Sequence, residues 1–179
     1  MRTHFAPKLV LPVSERDHIR GPASAPVTLV EYGDYQCPYC GEANPIVEEV
    51  QRELGAKLRF VFRNFPLAEI HPHAEHAAEI AEAAATHNKF WEMHDLLYAH
   101  QNALGDQQLA EYAALVHLSA AEIKSALIQH AYQGRIHEDF MSGVRSGVNG
   151  TPTFFINGVR HDGSYDRDSL LTAIAAATR

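Results

Sequence analysis

Val27-Thr28-Leu29-Val30-Glu31-Tyr32-Gly33-Asp34-Tyr35-Gln36-Cys37-Pro38-Tyr39-Cys40 is the stretch that decides the fold. It opens as a buried-strand pattern over Val27–Tyr32 and turns helical from Pro38. The only two cysteines of the chain sit on that turn. A helix N-terminus carries partial positive charge and N–H groups that lack intrahelical partners. A thiolate there is stabilised, so the sulfur is expected to be reactive near neutral pH. Cys40 follows three residues later, which brings a second sulfur within bonding reach. The chemistry this implies is thiol–disulfide exchange. Cys37 attacks, the partner is held as a mixed disulfide, and the more buried Cys40 displaces it. The competing readings are an inert buried pair or half of a metal site. Zinc usually takes four ligands, and the sequence has no second Cys-x-x-Cys.

Working outward, Pro38 suits the first turn of a helix that runs to about Leu54, with Gly55 ending it and Pro45 predicting a bend. Lys57–Phe62 alternates as a strand, with Leu58, Phe60 and Phe62 facing inward and Lys57 and Arg59 outward. A helical region follows: Pro72–His87, Lys89–Gln101, a helix N-capped by Asp106 and reaching His117, and one opened by the capping box Ser119-Ala120-Ala121-Glu122. Another helix is expected over Arg135–Gly147. The pattern then returns to strands at Thr153–Ile156 and Val159–His161, joined by Asn157-Gly158, a strong hairpin turn. Asp166 caps a last helix whose buried face holds Leu170, Leu171 and Ile174. Ahead of all this, Lys8–Val13 reads as a short strand and Asp17–Pro26 as a loop. The order predicts an α/β protein: residues 27–66 and 133–179 form the α/β domain, 67–132 a helical insertion, and 1–26 an N-terminal extension and loop.

Composition narrows the function. Hydrophobic residues make up 46% and charged residues 21% of 179, as in ordinary globular proteins. A formal charge of −7 and the absence of any basic run argue against a nucleic-acid surface. No apolar stretch is long enough to span a bilayer, so no membrane partner is expected. Pro7, Lys8 and Pro12 interrupt the apolar run that a leader would need near Met1, and a cytoplasmic protein is the expectation.

Other candidates can be weighed against plainer roles. Glu31, six residues before Cys37 on a strand, would be a carboxylate in apolar surroundings, fitted to take the proton of Cys40. Asp34 and Tyr35 read mainly as turn residues. Pro152, in Gly150-Thr151-Pro152-Thr153, stands at a strand entrance where a cis bond would free the backbone groups of Thr151 for an extended partner. His71, His73, His76, His87, His94 and His100 crowd one region, and His73 with His76 share a helix face. They lack a partner at metal-ligand spacing and read as surface or helix-start residues. Phe90, Trp91, Met93 and Tyr98 read as helix core.

Three segments together carry a resemblance: Glu31-Tyr-Gly-Asp-Tyr-Gln-Cys-Pro-Tyr-Cys40, Lys89-Phe-Trp-Glu-Met-His-Asp95 and Gly147-Val-Asn-Gly-Thr-Pro-Thr-Phe-Phe-Ile-Asn-Gly158. Over about residues 20–178 the chain resembles the DsbA-like branch of the thioredoxin superfamily. The resemblance implies a thioredoxin fold with an inserted helical domain, and a thiol:disulfide oxidoreductase that needs no bound cofactor or metal. It implies Cys37 as nucleophile, Cys40 as resolving thiol, Glu31 as buried proton acceptor and Pro152 as a cis-proline. Pro38, Tyr39, Thr151 and Pro152 would meet the partner. Partners would be protein or small-molecule thiols and disulfides, with a separate redox protein for recycling. Pro38-Tyr39 matches many glutaredoxins rather than the Pro-His of strong oxidants, which implies a milder potential. The alternative is a non-catalytic polypeptide-binding or metal-binding module of the same fold.

Overall fold

Residues 7–178 are described by the structure, a computed structural model. They divide into two units. The first comprises the described residues up to Gly33, Glu42–Arg63 and those from Met141 onward, and it holds the sheet. Its strands are β1 (His18–Arg20), β2 (Val27–Gly33), β3 (Leu58–Asn64), β4 (Thr153–Ile156) and β5 (Val159–His161). They lie in the order β1-β3-β2-β4-β5. Strand β2 pairs antiparallel with β4, placing Glu31 opposite Phe154 and Tyr32 opposite Thr153. Strands β2 and β3 are buried along nearly their whole length, because a central strand is covered on both faces. Asn157 and Gly158 both have positive φ, as the tight β4–β5 hairpin demands. Asn157 also pins the hairpin to β2: its backbone N–H donates to the Thr28 carbonyl, and its Oδ1 accepts from the Thr28 N–H, both at 2.9 Å.

Two helices flank this arrangement in sequence. Helix α1 (Pro38–Leu54) is continuous, and Pro45 sits inside it without ending it. The last helix (Arg167–Ala177) is capped by Asp166, whose carboxylate accepts from the Ser169 N–H at 3.0 Å. Hydrogen bonds from Ser164 and Ser169 hold that carboxyl at about 2.

The second unit comprises Asp34–Gly41 and Asn64–Phe140. It is helical: α2 (Ala74–Ala85), α3 (Phe90–Ala99), α4 (Asp106–Leu115), α5 (Ala120–Gln129) and the part of α6 (Gln133–Arg145) up to Phe140, which leaves α7 for the helix at Arg167–Ala177. Helix α2 packs against α3, α4 and α5. It can do so because its alanines, from Ala74 to Ala84, let neighbouring backbones approach closely while burying little side chain. Met93, Leu97 and Leu109 fill the space between helices and are fully buried.

Several expectations need correcting. Lys8–Val13 is not a strand: only Lys8 bridges Val159, and Pro12 denies the segment a ladder donor. Residues 17–26 are not all loop, since β1 pairs with β3 in the register His18↔Phe62. That edge strand is held by a side chain on its neighbour. The Arg63 guanidinium, fully buried, donates to both carboxylate oxygens of Asp17 (2.8 and 3.1 Å), to the carbonyls of Leu11 and Pro12, and to the Tyr32 hydroxyl. Burial works to lower the Arg63 pKa, but Asp17 and Tyr32 outweigh it and raise it. The compact units divide after Arg63 and after Phe140, and the turn carrying the cysteines groups with the helices. Gly105, not Asp106, is the N-cap of α4. That helix stops at Leu115, and His117 follows with positive φ.

Candidate active site

The turn from Asp34 to Gly41 is built around the Asp34 carboxylate, which is completely buried. One of its oxygens accepts from the Gln36 N–H at 2.8 Å, closing an Asx turn. The other accepts from the Leu67 N–H at 2.9 Å and meets His71 Nδ1 at 2.7 Å. The Asp34 carbonyl accepts from the Cys37 N–H at 3.1 Å, and its own N–H points at Cys40 Sγ, 3.5 Å away. One residue therefore orders the approach to α1 and touches the second sulfur. Gln36 adds a tie to α2 through its Oε1, which accepts from the His73 N–H at 2.7 Å.

Pro38 is the first residue of α1, where its missing N–H costs nothing. Cys37 thus stands at the helix entrance, and Cys40 lies inside the first turn. Both are thiols. Cys40 is wholly buried whereas Cys37 keeps 3% of its surface, so Cys37 is the sulfur a partner can meet first. Tyr39 between them is exposed. The far side of the turn rests on α3. The Tyr35 ring packs edge-on to His94 and tilted against Tyr98, and its hydroxyl meets His94 Nδ1 at 3.1 Å. Gln101, just beyond α3, donates from Nε2 to the carbonyls of Tyr35 (2.9 Å) and Cys37 (2.6 Å). Beside the turn is a groove of about 580 Å³ lined by Gln36, Pro38, His73, Gln101 and Gln108 with the Asn102–Gly105 loop.

The remaining sequence candidates lie in the sheet unit. Glu31 is buried on β2. Thr151 and Pro152 precede β4, joined by a cis peptide bond. The pairing of Tyr32 with Thr153 sets them at the same end of the β2–β4 ladder as Glu31. The histidines are dispersed into local pairings, His71 with Asp34, His76 with Asp106 at 2.7 Å and His94 with Tyr35. Among the described residues no group of three or more His, Cys, Asp or Glu has the geometry to hold a metal. Sequence reasoning did not single out Gln101 or Gly41 at all. It weighed Asp34 mainly as a turn residue and secondarily as one that shapes the loop or polarises the site; the short signature Asp-x-Gln was the signal for it.

A turn of this type between a central strand and a helix, in a sheet ending with a β-hairpin and a helix, defines a thioredoxin-type protein. The family profile described as Thioredoxin matches residues 13–176, and the chain belongs to that family. Its fold is the DsbA-like one. It superimposes on BdbD of Bacillus subtilis in the oxidised form with a TM-score of 0.86 at 22% identity, covering 97% of each chain. It also matches alpha-DsbA1 of Wolbachia pipientis with a TM-score of 0.81 at 19% identity, over 95% of this chain and 94% of that one. Among curated relatives, it is 48% identical over 170 residues to a Salinispora arenicola protein named Na(+)/H(+) antiporter NhaA 1, and 43% identical over 171 residues to its namesake from Mycobacterium sp. strain KMS. Those matches cover 94% of this chain but 26% and 28% of the relatives, so the chain spans about a quarter of their length. Among the described residues no helix is long and apolar enough to cross a membrane.

Proposed function

We propose that the chain is a thiol:disulfide oxidoreductase that works through Cys37 and Cys40. The observation that carries this reading is the turn itself, with Cys37 at the entrance of α1 and Cys40 one turn deeper under the Asp34 N–H. In the reducing direction, the Cys37 thiolate attacks a partner disulfide. A mixed disulfide forms and one partner sulfur leaves as a thiolate that takes up a proton. Cys40 then loses its proton, attacks the Cys37 sulfur and releases the second partner thiol. The partner disulfide gains two electrons and becomes two thiols, while Cys37 and Cys40 become a disulfide. The same steps reversed oxidise a dithiol. No bound cofactor enters the cycle.

The proposal assigns finer roles as well. Glu31, buried on β2, takes the proton of Cys40. Thr151 and Pro152 offer backbone to an extended partner, and the exposed Tyr39 with Pro38 meets its side chains. A polypeptide partner is favoured by the groove beside the turn. Its amide-rich wall can both donate to and accept from a main chain, and no Lys or Arg lines it. The proposal keeps a cytoplasmic setting, in whose reducing surroundings the Cys37–Cys40 pair would rest mostly as a dithiol. Recovery from a membrane or extracytoplasmic fraction would overturn that part.

Reduction of insulin disulfides by dithiothreitol tests the activity. The chain is expected to accelerate it and Cys37→Ser to give no acceleration; pre-reduced Cys40→Ala, freed of dithiothreitol and mixed with insulin, is expected to accumulate a protein–protein mixed disulfide visible on non-reducing gels. Equal rates for the chain and Cys37→Ser would refute the reading.

A further inference from the structure

Helix α1 carries a glycine, Gly41, in its first turns. It is not among the glycines with positive φ, so no turn conformation demands it. A glycine inside a helix is less favourable than alanine there. Its reason lies across the turn: a Cβ at Gly41 would stand 2.1 Å from Gln101 Oε1 and 2.8 Å from Gln101 Cδ. Gly41 therefore leaves the room that the Gln101 side chain occupies.

That side chain makes two bonds from one nitrogen, to the carbonyls of Tyr35 and Cys37. The Cys37 carbonyl is also the acceptor of the first helical bond, from the Gly41 N–H at 3.1 Å. The N–H groups of Gln36 and Cys37 are taken by the side chain and carbonyl of Asp34. The Tyr35–Gln36 peptide is thus held at both ends, by Asp34 on its N–H and by Gln101 on its carbonyl, while the peptide before Cys37 is held by Asp34 on its N–H and the one after it by Gln101 on its carbonyl. With both grips in place the Cys37 sulfur is held where the helix entrance favours its thiolate. With the acceptor side released, the turn can tilt and the sulfur spends less time there.

We propose that Gln101 is a positioning residue for Cys37, and that Gly41 is a glycine in order to admit its amide. This rests on the exchange chemistry proposed above, with Cys37 as the attacking sulfur. It adds a link from the end of α3 to the reactive turn.

The test is the rate of Cys37 alkylation by iodoacetamide between pH 5 and 9, in proteins carrying Cys40→Ala so that one thiol reports. In that background Gln101→Leu, Gly41→Ala and the double variant are compared with the parent. Loss of the two amide bonds is expected to slow alkylation at pH 6 by about 3- to 10-fold, with rates converging above pH 9. The three variants should behave alike, because each substitution removes the same contact. Gly41→Ala also favours the helix, so it keeps the test alive should Gln101→Leu fold poorly. A merely structural role predicts otherwise: Gly41→Ala would stabilise the protein and leave the pH profile unchanged. A parental profile in either single variant, or slowing that multiplies in the double variant, overturns the assignment. A failure of the underlying chemistry looks different, since the parent itself would then alkylate no faster at pH 6 than an unstructured cysteine peptide.

Discussion

Asp139 shows how much a single buried side chain can matter. It lies fully buried on α6, accepts from the Asn64 N–H at 3.1 Å and is ion-paired with Arg135 one turn before it. Burial pushes its carboxyl up more strongly than Arg135 pulls it down, and the nearby Glu82 adds to the rise. The sign of the consequence follows. A carboxyl raised above its unfolded value of about 3.9 binds a proton more readily when folded, so its contribution is fully present below that pH and is lost as pH rises through the folded value. Asp139→Asn cannot titrate. Its stability is expected to fall less than the parent's as pH climbs from 4 to 7 in urea unfolding, and a gap that moves the other way would contradict the burial argument. The same scale shows what a sequence conceals. The placement of Cys37 and Cys40 at the start of α1, and the caps Ser119 and Asp166, were legible because each is set by neighbours within three or four residues. Arg63 was not, because its partner Asp17 is 46 residues away and a charged residue in a strand reads as outward-facing. Gln101 was silent for the same reason, acting on a carbonyl 64 residues back.

Among elements, α3 illustrates how a helix can be read correctly and yet understood incompletely. Its spacing put Phe90, Trp91, Met93 and Tyr98 in the core; Phe90, Met93 and Tyr98 are buried there with His94 and Leu97, while Trp91 is only half-buried. What periodicity could not supply is the other side of that core, the Tyr35 ring on the reactive turn. The hydroxyl of Tyr35 and the imidazole of His94 are both buried and bonded to each other. Tyr35→Phe keeps the ring packing and leaves the imidazole nitrogen without this partner, so it is expected to destabilise by about 1–2 kcal/mol. A denaturant midpoint unchanged within error would mean that the contact contributes nothing net. Element ends were the least legible, for definite reasons. The first helical bond of α4 is accepted by the Gly105 carbonyl, which moves the cap one residue back from the acid that seemed to supply it. The edge strand β1 pairs with β3 just beyond Asp17, which the buried Arg63 of β3 holds in place.

At the scale of the whole chain, the order strand–helix–strand, helices, hairpin and helix was legible because each switch of period is marked by a glycine, a proline or a capping residue. The turn between β2 and α1 makes its side-chain bonds to the helical segments through His71, His73, His94 and Gln101, and groups with them. Charge acts at this scale too. With a formal −7 the protein repels anions over distances comparable to the Debye length, about 10 Å at 0.1 M salt. Under the proposed exchange chemistry, oxidised glutathione arrives as an anion and cystamine as a cation. Raising salt from about 10 mM to 0.2 M is expected to speed Cys37 attack on the first and slow it on the second, each by about 2- to 5-fold. The count of −7 takes all 12 histidines as neutral. Salt slopes of the same sign for the two probes would show that the field near the turn is set by local groups rather than by the net charge.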